Sequence, residues 1–377
     1  MNAEPDDAAW LRLAIEVGGA GGRSVRPNPR VGCVLVKDGK LVATGWHARC
    51  GGPHAEAVAL AQAGENAAGS TAYVTLEPCD HWGRTPPCSH ALVRAGVVRV
   101  VVGALDPHRD ASGGVATLRA AGLAVTTGVE ATAAADLAEV FFCNLLHKRS
   151  FLQLKLAMTL DGRTSAADGS SRWITGAAAR AQVHALRAAA DAVLIGSGTA
   201  LADDPRLDVR DAPLAGGQPL RVVLDRRLRL PVSAHLADTS RQATLVYCDD
   251  AALAETARAE ALRQQGVEIA CLASAAGRDS GLPVTGRPDP WLALVLRDLY
   301  ARGVCAVLCE GGHQLAGALL RAELCDRLDL ILAPKLLGAG TPAFADLGIA
   351  TLAEARDLRL EPPRLVGDDL WLTARPR

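Results

Sequence analysis

The sequence has few aromatic residues and no excess of charge. Only 6 Trp, 3 Tyr and 4 Phe occur in 377 residues, which is few for the stacking platforms of single-stranded nucleic-acid binders. The 40 basic and 41 acidic side chains leave a formal net charge of -1. No positive excess is therefore available to neutralise a polynucleotide backbone, and we do not expect nucleic acid as a partner.

Long apolar runs are also missing. No uninterrupted apolar stretch reaches the ~18 residues of a spanning helix, whereas a hydrophobic content of 49% excludes general disorder. Residues 1–7 carry acid where a signal peptide has a basic and then an apolar segment. We therefore expect a cytoplasmic protein with reduced thiols and no membrane partner.

The chain length and the pattern of elements predict two domains. At ~100–200 residues per domain, 377 residues suggest two, and strand and helix patterns alternate through the first ~145 residues. The polar segment 139–149 marks the boundary, so we predict α/β domains over residues 1–146 and 147–377. In the second domain we predict one helix over 251–265 and a surface loop over 271–290, a segment rich in Gly, Ser, Pro and Asp.

Three short pieces of the first domain form a metal-ligand pattern. His54 and Glu56 open a predicted helix, Cys79 ends a strand, and Cys88 begins the next helix. A catalytic zinc takes about three protein ligands and keeps one open position, a requirement that one histidine and two thiolates meet. Because Glu56 is two residues from His54 at a helix start, its carboxylate can face the open position and shuttle a proton. Zinc deaminases share the His-x-Glu and Pro-Cys parts, with a shorter gap between the cysteines.

A closed structural zinc site, or no metal, is the alternative for these residues. Such a site needs a fourth ligand, for which the sequence offers His47, Cys50, His81 and His90. A closed site leaves Glu56 without a role. The remaining cysteines are expected to be small apolar fillers of strands and helices: Cys33, Cys143, Cys248, Cys271, Cys305, Cys309 and Cys325.

Two features of the second domain suggest phosphate binding. Gly311 and Gly312 lie between a predicted strand and a predicted helix, where backbone N–H groups can approach a phosphate; a tight turn is the alternative. Arg187, Arg206 and Arg210 offer guanidinium groups that suit phosphate oxygens, although exposed arginines are usually only solvated.

In the first domain, Asn28 could bind a heterocycle or ribose edge, or be only a turn residue.

Together these segments resemble the bacterial bifunctional riboflavin-biosynthesis deaminase/reductase family. In the first domain the resemblance lies in Asn28-Pro29-Arg30-Val31-Gly32, His54-Ala55-Glu56, Thr75-Leu76-Glu77-Pro78-Cys79 and Gly83-Arg84-Thr85-Pro86-Pro87-Cys88. The segment Gly83–Cys88 distinguishes the chain from cytidine and tRNA adenosine deaminases, whose two cysteines are closer together in sequence. In the second domain it lies in Lys155-Leu156-Ala157, Leu160-Asp161-Gly162-Arg163, Ser171-Arg172-Trp173-Ile174-Thr175, Gly198-Thr199-Ala200-Leu201-Ala202-Asp203-Asp204-Pro205, Glu310-Gly311-Gly312 and Ala333-Pro334-Lys335-Leu336-Leu337-Gly338.

The resemblance implies a fold, two cofactors and two reactions. The fold is a cytidine-deaminase-like three-layer domain followed by a dihydrofolate-reductase-like domain, and the cofactors are Zn²⁺ and NADPH. His54, Cys79 and Cys88 would bind zinc, and Glu56 would move protons. A phosphorylated diaminopyrimidinone would lose its 2-amino group as ammonia. Hydride transfer to C1′ of the ring-opened ribosylamino group would then give a ribitylamino side chain, with Lys155, Asp203 and Glu310 as candidate proton sources.

The resemblance also assigns contacts in the second domain. The implied cofactor contacts are Ala157, Trp173, Thr199, Asp203, Gly312, His313, Gln314, Leu315, Ala316, Gly317 and Ala318, the last seven of which are expected as a loop. The implied substrate contacts are Ser171, Arg187, Leu207, Arg210 and Glu310. Two positions depart from the family pattern, which often has asparagine at His108 and serine at Arg226, and no contact is carried over to either.

We further expect a homo-oligomer, either a dimer or a tetramer. Two other functions are compatible with the residues alone. One is a nucleic-acid base deaminase with an appended domain, against which the balanced charge counts. The other is a regulatory protein whose second domain senses a nucleotide without turnover.

Overall fold

The chain divides between His147 and Lys148 into two units, which we describe separately. The structure is a computed structural model that describes residues 6–82, 86–108, 111–214, 216–272 and 290–377. The boundary lies one residue beyond the one drawn from the sequence. In these ranges, no helix is both long and apolar enough to cross a membrane.

Unit 1 (Met1–His147) alternates helices and strands. Its helices are α1 (Asp7–Gly19), α2 (Ala55–Ala63), α3 (Cys88–Arg94), α4 (Gly114–Ala120), α5 (Ala131–Leu137) and α6 (Glu139–His147), with 3-10 turns at Arg23–Val25 and Gly64–Ala67. Its strands are β1 (Gly32–Lys37), β2 (Lys40–Trp46), β3 (Thr71–Leu76), β4 (Arg99–Ala104) and β5 (Ala124–Thr127).

The strands of unit 1 form one sheet covered by helices on both faces. The order is β2-β1-β3-β4-β5, with β1 antiparallel to its two neighbours and β3, β4 and β5 parallel. Ala59 of α2, Leu92 of α3 and Leu118 of α4 pack on one face, and Leu11 of α1 packs on the other. Every residue of β4 is buried, as expected for a parallel strand covered on both sides. The predicted three-layer domain is confirmed.

Two close approaches fix the helices of unit 1 on this sheet. A Cβ atom on Gly45 of β2 would lie only 2.2 Å from the carbonyl oxygen of Ala55, so α2 can begin directly against β2 only because residue 45 is glycine. At the start of α1, the fully buried carboxylate of Asp7 accepts two hydrogen bonds from the Arg99 guanidinium, of 2.8 and 2.7 Å, and one from the Tyr73 hydroxyl. This buried ion pair ties α1 to β4.

Unit 2 (Lys148–Arg377) is built on a larger sheet. Its strands are β6 (Phe151–Thr159), β7 (Arg163–Ser165), β8 (Ala192–Gly196), β9 (Leu220–Leu224), β10 (Thr244–Cys248), β11 (Glu268–Cys271), β12 (Ala306–Cys309), β13 (Arg327–Ala333), β14 (Thr341–Pro342), β15 (Leu358–Leu360), β16 (Arg364–Val366) and β17 (Asp369–Pro376). Its helices are α7 (Ala177–Ala189), α8 (Ser197–Asp203), α9 (Ala251–Ala254), α10 (Ala257–Gln264), α11 (Pro290–Ala301) and α12 (His313–Arg321), with a 3-10 turn at Leu352–Glu354.

The main sheet of unit 2 has the order β11-β10-β9-β8-β12-β6-β13-β17-β15, and β16 pairs with β17. The strands from β11 to β13 are parallel, and β17 is antiparallel to β13. Leu296 of α11 and Leu319 of α12 pack in the core cluster on one side, whereas Leu228 and Leu262 belong to the cluster on the other. Because parallel strands present their carboxyl ends at one edge, the turns after β8, β9, β10 and β12 lie along the same edge.

Two details of unit 2 correct the sequence-based expectations, and a third expectation falls largely outside the described residues. Cys248 and Cys271, expected as reduced apolar fillers, form a disulfide between register neighbours of β10 and β11 with Cα atoms 4.9 Å apart. The single helix expected over 251–265 is two helices, because the Thr256 hydroxyl accepts the Ala259 N–H and caps a new helix. The loop expected over 271–290 begins within β11 and ends at the start of α11, and residues 273–289 lie outside the described residues.

Candidate active sites

His54, Cys79 and Cys88 converge in unit 1. His54 precedes the first residue of α2, Cys79 follows β3, and Cys88 opens α3. The Nδ1 atom of His54 is 3.5 Å from the Cys79 sulfur and 3.4 Å from the Cys88 sulfur. All three donor atoms lie within 4.8 Å of one another, the one such cluster among the described residues. Residues far apart in sequence thus present one nitrogen and two sulfur donors at the same point.

None of the candidate fourth ligands joins this cluster. His47 is buried, but its Nδ1 lies 2.9 Å from the Pro53 carbonyl oxygen and its Nε2 lies 3.1 Å from the Asn28 amide nitrogen. A carbonyl only accepts, so Nδ1 carries the proton and Nε2 accepts from Asn28. Cys50, His81 and His90 are exposed. Three protein ligands with an open position are typical of a catalytic zinc site rather than a structural one.

Glu56 lies beside these donors, on the first turn of α2, and is only 3% exposed. Burial disfavours the ionised carboxylate, and the negative charge of Cys79 disfavours it further, so the pKa of Glu56 rises to about 7. A carboxyl group with this pKa can both accept and release a proton near neutral pH.

The two thiols have unequal acidity. The pKa of Cys79 is lowered to about 4, because its thiolate accepts a hydrogen bond from the Cys88 thiol and is also stabilised by His54. The pKa of Cys88 is raised, since ionising it would cost that hydrogen bond and place two negative sulfurs together in a buried site. One sulfur of the pair is therefore already in the thiolate form that binds metals.

In unit 2, Arg187 and Glu310 form a largely buried ion pair, with side chains 14% and 10% exposed. The Nε and Nη2 atoms of Arg187 donate to the two Glu310 carboxylate oxygens at 2.5 and 3.0 Å, and the Lys155 ammonium lies 3.9 Å from the second oxygen. Burial opposes ionisation of Glu310, but Arg187 and Lys155 outweigh it and hold the pKa of Glu310 below its usual value. The pKa of Lys155 is lowered by burial. Glu310 follows β12 and Lys155 lies on the neighbouring β6, so this cluster belongs to the sheet centre.

The other predicted substrate contacts of unit 2 lie in less enclosed positions. Leu207 is buried with a positive φ of 55°. The Arg210 side chain is 56% exposed, and its Nε atom lies 3.6 Å from the Asp208 carboxylate. Asp208 also links to the ion pair, since its backbone carbonyl accepts a hydrogen bond from Arg187. Ser171 is half-buried, before the cis peptide bond between Arg172 and Trp173.

Two of the predicted cofactor contacts, Gly312 and Thr199, meet where β12 and β8 end. The Gly312 N–H donates to the Thr199 hydroxyl of α8 at 3.2 Å. Residues 313–318, expected as a loop, are instead the first turns of α12, where Ala316 is fully buried and a Cβ on Gly317 would lie 2.9 Å from that of Ala345. Of the remaining members, Ala157 on β6 and His313, Leu315 and Ala318 of α12 are half-buried, whereas Trp173, Asp203 and Gln314 are exposed.

Comparison with known proteins gives one consistent match for each part of the chain. The family model for the cytidine and deoxycytidylate deaminase zinc-binding region matches residues 5–104, and the model for the RibD C-terminal domain matches residues 150–370. Riboflavin biosynthesis protein RibD of Aquifex aeolicus is 39% identical over 365 residues, covering 97% of both chains, and that of Escherichia coli is 39% identical over 97% of this chain.

Solved structures agree. RibD of Acinetobacter baumannii is 38% identical, with a TM-score of 0.76 and 99% of each chain covered. The deaminase/reductase of Thermotoga maritima is 31% identical, with a TM-score of 0.79 over 98% of this chain.

The chain belongs to the RibD family. The resemblance predicted from the motifs is thereby confirmed, as are the deaminase and reductase activities in riboflavin biosynthesis and the cofactors Zn²⁺ and NADPH.

The residues of this RibD chain fit both cofactors. The histidine nitrogen and two cysteine sulfurs are the donors that Zn²⁺ prefers, and the lowered pKa of Cys79 supplies a thiolate. In unit 2, α12 starts after Gly311 and Gly312 with no side chain capping its first turn. Backbone N–H groups at such a helix start suit the phosphates of a dinucleotide.

Contacts that the sequence did not indicate hold the RibD metal ligands in place. The carboxylates of Glu77 and Asp80 lie in the residues around Cys79; Glu77 contacts the start of α4 and the segment before it, and Asp80 contacts α3 and α4. Glu77 accepts the backbone N–H groups of Asp106, Gly113 and Val115, and Asp80 accepts the hydroxyls of Ser89 and Thr117. Gly114 completes the contact, because a Cβ there would lie 1.9 Å from the Pro78 carbonyl oxygen. The Gly83, Arg84 and Thr85 of the sequence motif lie outside the described residues.

Proposed function

We propose that the chain removes the 2-amino group of 2,5-diamino-6-(5-phosphoribosylamino)pyrimidin-4(3H)-one and then reduces the ribosyl side chain to give 5-amino-6-(5-phosphoribitylamino)uracil. Deamination consumes water and releases ammonia, and reduction transfers a hydride from NADPH. The solved relative from Thermotoga maritima carries the corresponding two activities in its name.

The observation that best supports the first step is a buried glutamate beside an open set of metal ligands. When bound by His54, Cys79 and Cys88, Zn²⁺ supplies a Lewis acid that makes water nucleophilic at neutral pH. The Glu56 carboxylate can take a proton from the attacking water and deliver it to the leaving amino nitrogen, because its pKa is about 7.

For the second step, the buried ion pair would hold the substrate of the reductase. Arg187 and the more exposed Arg210 suit the phosphate of the substrate. Glu310 stays ionised beside two cations and can accept hydrogen bonds from substrate donors. The cofactor supplies the hydride. Lys155 lies 3.9 Å from Glu310 with its side chain 15% exposed, and so is better enclosed than exposed Asp203 as a proton source.

The test is incubation of the zinc-loaded chain with the diaminopyrimidine phosphate, with and without NADPH, followed by mass analysis and an ammonia assay. We expect ammonia release and one mass change without NADPH, and a second mass change accompanied by NADPH oxidation when it is present. Absence of ammonia release contradicts the first step. NADPH binding without oxidation contradicts the second and favours a nucleotide sensor, whereas deamination of oligonucleotides favours a nucleic-acid base deaminase.

We also propose that the chain functions in the cytoplasm as a homo-oligomer. The metabolic role of the RibD family supports the location, and the family resemblance is the basis for the assembly. Cell fractionation tests the location. Light scattering tests the assembly, where a monomeric mass at micromolar concentration would contradict it.

A further inference from the structure

His184 binds the segment that carries Arg210 to helix α7. Its side chain is only 10% exposed, and it lies one turn before Arg187 on the same face of α7. The backbone N–H of Arg210 donates to the Nδ1 atom of His184 at 3.4 Å. Because a backbone N–H only donates, Nδ1 is unprotonated, and Nε2 carries the proton 3.7 Å from the exposed Asp211 carboxylate. The contact therefore depends on the neutral form of the imidazole.

The surroundings of His184 favour this neutral form. Burial lowers the pKa of His184, and the positive charges of Arg187 and Arg210 lower it further. The acids Asp211 and Glu310 act in the opposite direction but do not cancel the shift. A protonated ring would place an N–H at Nδ1, opposite the Arg210 N–H, and could not accept a hydrogen bond from it. His184 is thus an acceptor for the Arg210 backbone at neutral pH.

Two more side chains bind the residues just before Arg210. Gln218 accepts the Val209 N–H at 2.7 Å and donates to the Val209 carbonyl at 2.9 Å. Arg187 donates to the Asp208 carbonyl at 3.0 Å. These residues belong to no helix or strand, so contacts with side chains, rather than a regular element, set the course of the backbone here.

The segment buries its apolar side chains and leaves that of Arg210 partly in solvent. Leu207 and Val209 are buried, whereas the Arg210 side chain is 56% exposed. Its Nε atom lies 3.6 Å from Oδ1 of Asp208, and this oxygen accepts no hydrogen bond from the described residues. A partly exposed pair at this distance contributes little. The backbone contact to His184, rather than the ion pair to Asp208, therefore sets where the Arg210 guanidinium can reach.

We infer that His184 is a positioning residue for the reductase: it ties the Arg210 backbone to α7, so that the Arg210 guanidinium can bind the substrate phosphate together with Arg187. The inference rests on the proposed function, which assigns that phosphate to these two arginines. Arg187 is one turn from His184 and binds the residue two positions before Arg210, so one stretch of α7 fixes both guanidinium groups. An arginine that is fixed before the substrate arrives loses less conformational entropy on binding. Loss of His184 should therefore weaken binding of the phosphate without slowing hydride transfer.

The experiment compares two substrates of the reductase on the zinc-loaded full chain: the deaminated intermediate and its dephosphorylated form, which has a free 5′-hydroxyl. His184→Leu removes the acceptor, and His184→Asn keeps an acceptor oxygen close to the position of Nδ1. Gln182→Leu is the matched control, because Gln182 is exposed on α7 and two positions away, on another face of the helix. Arg210→Ala, alone and combined with His184→Leu, shows whether His184 acts through Arg210.

We expect His184→Leu to raise KM for the phosphorylated substrate about tenfold, or about 1.4 kcal/mol, with kcat unchanged. His184→Asn should restore most of this loss, and Gln182→Leu should behave like the parent. For the dephosphorylated substrate, kcat/KM should be the same in the parent, His184→Leu and His184→Asn. Adding His184→Leu to Arg210→Ala should raise KM no further.

A fall in kcat, or equal losses with both substrates, would show that His184 only supports the fold of unit 2 and would overturn the inference. If Arg210→Ala raises KM for the phosphorylated substrate whereas His184→Leu does not, the inference fails and the proposed function stands. If the parent oxidises no NADPH with the deaminated intermediate, the proposed function fails and the inference fails with it. Ammonia release by unit 1 and the thermal midpoint confirm that each variant is folded.

Discussion

Glu56 of unit 1 and Glu310 of unit 2 are both largely buried, yet their surroundings shift the pKa in opposite directions. Burial and the nearby thiolate raise the pKa of Glu56 to about 7. Burial also opposes ionisation of Glu310, but Arg187 and Lys155 hold its pKa below the usual value. The same side chain is therefore suited to move protons in one unit and to stay charged in the other.

The two units also hold their sites together differently. In unit 1, the segment that carries Cys79 is held by backbone N–H groups that donate to Glu77 and by the close approach of Gly114 to Pro78. In unit 2, the central contact is an ion pair between Arg187 of α7 and Glu310 after β12. The first site should be sensitive to packing and to loss of the proton carrier, and the second to loss of charge balance.

We expect the largest effect from a substitution of Glu56, which tests its role as the proton carrier. Glu56→Gln keeps the size of the side chain but removes its ability to accept a proton, so ammonia release should fall by about 10²–10⁴-fold. Metal analysis should still find zinc, because Glu56 is not among the three clustered ligands. Reduction of the deaminated intermediate by the same sample serves as the internal control.

Glu65→Gln is the matched variant for this experiment, since Glu65 is an exposed glutamate just after α2. It should release ammonia at the parental rate. If Glu56→Gln released ammonia at the parental rate, Glu56 would not be the proton carrier, and its raised pKa would not distinguish its role from that of Glu310.

The next effect tests the charge balance around Glu310. Arg187→Met removes the two short hydrogen bonds to the largely buried carboxylate and leaves Lys155 at 3.9 Å, and breaking a buried pair in this way costs about 3–5 kcal/mol. The double variant Arg187→Met/Glu310→Leu removes both charges and should recover much of that stability. Hydrogen exchange of the β6 and β12 amides reports on unit 2 alone. Equal destabilisation in the single and double variants would show that packing, and not charge, dominates this site.

The contrast between the units also explains what the sequence could reveal. His54, Cys79 and Cys88 occur in short motifs at the ends of predicted elements, so the sequence alone predicts that they bind a metal. Arg187 and Glu310 were assigned from family resemblance, because nothing local links residues 123 positions apart. The Asp7–Arg99 pair and the Cys248–Cys271 disulfide were missed for the same reason. The disulfide depends on the register of β10 and β11, and the ion pair depends on how α1 packs against β4; the sequence pattern specifies neither.

A smaller effect tests the packing that supports the metal ligands. Gly114→Ala would place a Cβ 1.9 Å from the Pro78 carbonyl oxygen, so α4 must move away from the segment that carries Cys79. Overpacking of this kind costs about 3 kcal/mol, and we expect weaker zinc retention against a chelator. Gly19→Ala is the control, because no atom lies within 4 Å of the added Cβ. Unchanged zinc retention in Gly114→Ala would mean that the ligands do not depend on this contact.

The smallest effect tests whether a second ionised carboxylate stabilises unit 2 away from its site. Asp329 accepts hydrogen bonds from Gln153, Trp371 and Thr373 and lies 3.1 Å from Arg327. Burial opposes ionisation of Asp329, but Arg327 and these donors keep its pKa below the usual value. The stability that ionised Asp329 contributes is therefore present above the pKa it has in the unfolded chain, and is lost as the pH falls through the lower pKa it has in the folded chain.

Asp329→Asn should cost about 1–2 kcal/mol of stability at pH 7, and the gap between the thermal midpoints of parent and variant should narrow towards pH 3. A gap that stays constant with pH would show that Asp329 stabilises unit 2 by shape and not by charge.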